Sequence, residues 1–91
     1  LRPGTILEML EGADAIRRPE RFEQMVTSCE ADFRGRAGYE ERHYPQGQRL
    51  RRLLAAVRAV DAGVIASGED DPAKIPQRIR EARIAAIRAA D

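Results

Sequence analysis

Tryptophan is absent from these 91 residues, and only Phe22, Phe33, Tyr39 and Tyr44 are aromatic. A core without large rings has to be filled by Leu, Ile, Val, Met and Ala. The one cysteine, Cys29, excludes an internal disulfide and fits a reducing compartment, so a cytoplasmic setting is expected. The one histidine, His43, stands far from Cys29, and no zinc-ligand spacing exists, so no metal site is expected in this chain. No apolar run approaches the roughly 18 residues of a spanning helix, and no signal peptide is visible. No membrane partner is expected. Nucleophile–base pairs, a phosphate-binding glycine loop and a dinucleotide motif are missing as well. As a stand-alone enzyme the sequence has almost nothing to work with, and neither catalytic residues nor a cofactor of its own are expected.

What is present favours helix. Alanine and arginine are abundant, and the β-branched residues are too scattered for strands. The length suits one small domain spanning 1–91 with a modest core. Beginning at Leu1 rather than Met, the chain is expected to be a processed or excised piece. Pro3-Gly4-Thr5 announces a first helix, with Thr5 and Glu8 in capping-box spacing and Ile6, Met9, Leu10 and Ala13 as its stripe. Arg17-Arg18-Pro19 ends it, and Pro19 opens a second helix whose apolar face reads Phe22, Met25, Val26 and Cys29. On that stripe Cys29 is expected to be a small core residue and not a nucleophile. A third helix is clearest, with Leu50, Leu53, Leu54, Val57 and Val60 at helical spacing and Gln48, Arg51, Arg52 and Arg58 toward the other face. Asp61-Ala62-Gly63 interrupts it, and Val64–Ser67 is expected to add a turn. Asp71 then caps a last helix with Pro72 just inside, its face formed by Ile75, Ile79, Ala82 and Ala86 and widened by Ile84 and Ile87. The expectation is an all-α fold, an irregular bundle of four or five short helices.

Between the second and third helices, Asp32 to Gly47 is punctuated by Gly35, Gly38 and Gly47, and Pro45 biases Tyr44 away from helix. This predicts a connection of about a dozen residues, a length that tends to be functional or held by specific contacts. It also begins the basic third of the chain. Residues 34–58 carry seven arginines against Glu40 and Glu41, a local net of +5, whereas 1–33 sum to −3 and 59–91 to −1. Of the basic residues only Lys74 is not arginine. Arginine's planar fork suits phosphate, and Arg34, Arg36, Arg49, Arg51, Arg52 and Arg58 are the candidate RNA-contacting set. Tyr39 and Tyr44 lie among them and could stack on bases, or could pack down to pin the loop. Asp32, two residues from Arg34 and four from Arg36, is expected to structure the loop through ion pairs, together with those tyrosines. The opposing reading has the arginines merely solvating a helix face.

The run Cys29-Glu30-Ala31-Asp32-Phe33-Arg34-Gly35-Arg36-Ala37-Gly38-Tyr39-Glu40, with Tyr44-Pro45-Gln46-Gly47 and Leu50-Arg51, resembles the C-terminal region of bacterial CCA-adding enzymes. The likeness extends to Arg18–Gln24 and Arg83–Ile87, covering nearly the whole chain. It implies a parent tRNA nucleotidyltransferase that adds or repairs the 3′-terminal CCA of tRNA from CTP and ATP with magnesium. Family members keep the metal-binding carboxylates in an N-terminal head, and the multifunctional form carries an HD phosphohydrolase domain before this region. Neither the head's paired acids nor the His-Asp dyad occurs here, so no catalytic residue carries over. The resemblance implies tRNA docking for this helical part. The alternative is a purely architectural role, against neighbouring domains of the same chain or a second subunit.

Overall fold

The computed structural model describes residues 2–35 and 45–91. Arg36, Tyr39 and Tyr44, expected above to contact RNA or structure the loop, lie outside the described residues. Five α-helices and one 3-10 turn account for most of what is described: α1 Pro3–Gly12, α2 Pro19–Arg34, α3 Pro45–Arg58, α4 Ala62–Ser67, the 3-10 turn Pro72–Lys74, and α5 Ile75–Ala90. The all-α expectation holds.

Proline sets the starts. Pro3, Pro19 and Pro45 each stand in the first turn of a helix, where a missing N–H leaves no bond unmade. This overrides the Thr5–Glu8 capping box: the cap falls three residues earlier, on Arg2, with no side-chain hydrogen bond, and Thr5 sits inside the helix. The acidic caps fall further along. Asp61 accepts from Val64 N at 3.0 Å to open α4, and Asp71 accepts from Ala73 N at 3.0 Å to open the 3-10 turn. Hence α5 starts at Ile75, with Pro76 in its first turn, rather than at Pro72.

The end of α1 is a Schellman turn built without glycine. Ala15 N donates to Leu10 O at 2.9 Å and Asp14 N to Glu11 O at 3.0 Å. That pair requires a left-handed residue at position 14, and Asp14 supplies it with φ 55. The turn swings Ala15 back onto Leu10, and both are fully buried.

The core is one cluster. Ile6, Leu7 and Leu10 of α1, Phe22 and Val26 of α2, Leu53, Leu54 and Val57 of α3, and Ile87 of α5 are buried together with Ala15. Leu50 and Ile84 pack partly buried against it. α5 is the hub, touching α1, α3 and α4, so its burial is divided among neighbours. That explains why, within the expected face, Ile87 alone is fully buried while Ile75, Ile79, Ala82 and Ala86 are only half-covered.

On α2 burial stops at Val26. Met25 is 45% exposed, and Cys29 is exposed rather than a core residue. The apolar stripe runs one turn beyond the cluster it was expected to serve. Asp32 and Arg34 correct a second expectation, because α2 continues through Arg34 and both stand in its last turns, not in a loop.

Candidate nucleic-acid interface

Helix α3 holds four of the six candidate arginines and no acid, so any carboxylate that meets them must come from another element. It does, from two sides. The core face Leu50, Leu53, Leu54 and Val57 points inward, which puts Arg51 and Arg58 on the flank toward α2 and Arg49 and Arg52 on the flank toward the end of α5.

Arg51 is the most engaged. Its Nε lies 3.0 and 2.9 Å from the two carboxylate oxygens of Glu23, Nη1 donates to Glu30 Oε2 at 3.1 Å, and Nη2 reaches Thr27 Oγ1 at 3.5 Å. One guanidinium thereby grips two turns of α2. The Glu23 hydrogen bond, followed by that of Glu30 and the charges of both, raises the arginine's pKa above its ordinary value despite some desolvation. Arg34 joins the same network from α2 itself, 3.7 Å from Glu30 Oε1. About two turns further along α3, Arg58 Nε donates to Ile16 O at 3.3 Å. Arg51 and Arg58 form one bank of a groove of ≈320 Å³ whose other bank carries Glu20 and Glu23.

On the opposite flank Arg49 makes a two-pronged pair with Asp91, Nε to Oδ1 at 2.7 Å and Nη2 to Oδ2. The pair raises the Arg49 pKa and, chiefly through that same hydrogen bond, holds the Asp91 carboxyl below its ordinary value. Arg52 donates from Nε to Ala90 O at 3.0 Å and stands 3.8 Å from Asp91, with its side chain 54% exposed. Between the two flanks the outer ridge of α3 presents Gln48 and Ala55, both exposed.

The candidate arginines that are described therefore share one helix and its neighbourhood, but they divide into two uses. Arg49 and Arg51 are saturated by carboxylates. Arg52 and Arg58 are exposed and bonded to backbone carbonyls, Arg52 with Asp91 more distant at 3.8 Å, while Arg34 is tied to Glu30 within α2. The partners Glu23, Glu30 and Asp91 were not legible beforehand. Their only sequence signal is that α3 has no acid of its own.

No group of three or more His, Cys, Asp or Glu that could hold a metal ion occurs among the described residues, and none of their helices is long and apolar enough to cross a membrane. What the fold defines is an all-α unit with an arginine-bearing helix braced from both sides.

Comparison with known proteins gives that unit its relatives. The chain is 53% identical over 89 residues to the multifunctional CCA protein of Aromatoleum aromaticum, covering 98% of this chain and 22% of that protein. It is 49% identical over 96 residues to that of Nitrosospira multiformis, 97% of this chain and 23% of the other, and 53% identical over 87 residues to that of Chromobacterium violaceum, 96% and 21%. It is thus a relative of the C-terminal region of the multifunctional CCA proteins, and it spans about a fifth of their length. No family model and no solved structure matches the chain.

Proposed function

We propose that this chain is a non-catalytic helical region of a CCA-adding tRNA nucleotidyltransferase, acting in the cytoplasm, and that α3 docks the tRNA body through phosphate contacts. The single observation that carries the reading is that α3 concentrates four arginines and no acid on the two flanks of one exposed ridge. Arg52 and Arg58 are the contacts, since both are exposed and neither is held by a close carboxylate, and the charge of Arg34 extends the basic surface beyond the groove. Arg49 and Arg51 are braces that hold α3 at the correct angle. In this reading magnesium, CTP and ATP are handled by other parts of a longer polypeptide, of which 1–91 is one helical domain.

The test is a salt titration of tRNA binding by the longer natural protein and its Arg52→Glu/Arg58→Glu variant. Docking predicts roughly tenfold or greater weakening at low salt, with the slope of log affinity against log salt reduced by up to about two. Unchanged affinity and slope would remove tRNA docking by α3.

A second reading has a specific observation behind it: the strongest arginine contacts are internal, Arg49 to Asp91 and Arg51 to Glu23 and Glu30. A purely architectural region needs nothing more. The same titration separates the two, because the architectural reading predicts no salt-dependent loss in the variant.

A further inference from the structure

Helix α5 carries four arginines, and three of them face elsewhere. Arg78 pairs with Glu69 at 2.9 Å, Arg80 reaches Glu8 of α1 at 3.5 Å, and Arg83 lines grooves shared with Glu11 of α1. Arg88 is different. It stands in the last turn, exposed, and makes no hydrogen bond or ion pair with any described residue. Helix periodicity turns it away from α1, because it lies four residues after Ile84 and three before Asp91, positions that share one face. Ile84 packs against the core, and Asp91, whose N–H still donates to Ile87 O at 3.0 Å, holds Arg49 of α3. Ala90, two residues beyond Arg88, accepts from Arg52 Nε at 3.0 Å. Arg88 therefore borders the flank of α3 that carries Arg49 and Arg52.

We infer that Arg88 is a further phosphate contact, so that the nucleic-acid surface crosses from α3 onto the last turn of α5. The inference rests on the tRNA docking by α3 proposed above and says which flank carries more of it. Charge decides. Along the α5 flank, Arg49, Arg52 and Arg88 stand against one carboxylate, that of Asp91, for a net of +2. Along the α2 flank, Arg51 and Arg58 share a groove with Glu20 and Glu23, and Glu30 holds Arg51 as well. Even with Arg34 counted, that flank is neutral. The carbonyls that end α5 add roughly half a negative charge, too little to cancel the excess, and Arg52 covers the one at Ala90. Arg49 is spent on Asp91, so Arg52 and Arg88 are the two guanidinium groups of this flank without a close carboxylate. A polyanionic backbone gains more beside them than beside Glu20 and Glu23.

The experiment is tRNA binding by the longer natural protein across a salt series, comparing Arg88→Glu, Arg88→Gln and Arg21→Glu with the unmodified chain. Arg21 is the control, an exposed arginine of α2 two positions before Glu23 and so on a side of that helix turned from α3. Arg88→Glu should weaken binding roughly threefold or more at low salt and lower the slope of log affinity against log salt by about one. Arg88→Gln should lower the slope in the same way with a smaller loss of affinity. Being neutral, it puts no carboxylate at the negative end of α5, and it keeps the result readable if Arg88→Glu lowers the melting temperature. Arg21→Glu, the same change of charge, should leave the slope as it was. Arg88 variants that behave like Arg21→Glu would overturn the inference. So would a loss of affinity with the slope unchanged, which marks a structural role. If Arg52→Glu/Arg58→Glu weakens binding and the Arg88 variants do not, docking by α3 stands and only its extension onto α5 falls; if Arg52→Glu/Arg58→Glu has no effect, the docking itself fails.

Discussion

Asp14 and Cys29 are the residues at which local reading and the folded chain part company, for opposite reasons. Local pattern ends the first helix at Arg17-Arg18-Pro19, yet α1 stops at Gly12 and Asp14 takes the left-handed position that turns the chain. A short polar side chain tolerates that conformation and a β-branched one does not. Asp14→Val is therefore expected to lower unfolding stability by about 1–2 kcal/mol, whereas Asp14→Gly should leave it within about 1 kcal/mol, as read by urea denaturation. Cys29 belongs angularly to the apolar stripe of Phe22 and Val26, and nothing in the spacing says that the core ends first. Its exposure predicts that a maleimide labels the native protein at Cys29 nearly as fast as it labels the urea-unfolded chain; strong native protection would contradict the exposed placement. Leu53 is the opposite case, legible from periodicity and fully buried. Leu53→Ala should cost about 2–5 kcal/mol by the same denaturation measurement.

Helix positions followed from proline and apolar spacing, so α2, α3 and α5 were largely visible before any tertiary contact was known. How the helices are tied together was not. α3 draws Glu23 and Glu30 from α2 and Asp91 from the end of α5, pairings 28, 21 and 42 residues apart in sequence. Sequence separation of that size leaves no local pattern to read. The ties carry a pH signature with a definite sign. The carboxyls of Asp91, beside Arg49, and of Glu69, which accepts from Asp71 N and pairs with Arg78, are both held below their ordinary pKa values on folding. Groups depressed in this way contribute stability that is fully present above the unfolded carboxylate pKa and is lost as pH falls through the folded one. Thermal melting should thus drop as pH falls below the unfolded carboxylate range, about 4, toward the lower folded values. In an Asp91→Asn variant the drop should be shallower. A melting temperature that falls equally in both proteins would remove the Arg49–Asp91 tie as a contributor.

At the scale of the whole molecule the described residues make an elongated body, 56 × 22 × 17 Å, with α5 as the shared wall for α1, α3 and α4. The surface proposed to meet a partner is the arginine-flanked ridge of α3, with Arg88 of α5 beside it. Mixing the unmodified longer protein with tRNA should protect α3 from exchange and leave α1 as it was; equal protection of both would argue against docking confined to that side.

By itself the sequence determined the helical class, the concentration of arginine in 34–58, and the family likeness carried by the run from Cys29 to Arg51. These are properties of composition and local order, and they survive any arrangement of the helices. Only the tertiary structure decided which arginines are spent and which remain available. A guanidinium's role depends on whether a carboxylate from a distant element arrives within about 3 Å. For Arg49 and Arg51 one does, for Arg52 and Arg58 the close contact is a backbone carbonyl, with Asp91 no nearer than 3.8 Å to Arg52, and for Arg83 Nε no acceptor arrives among the described residues. The same residue type, repeated along one chain, was sorted into brace, contact and open donor by packing alone.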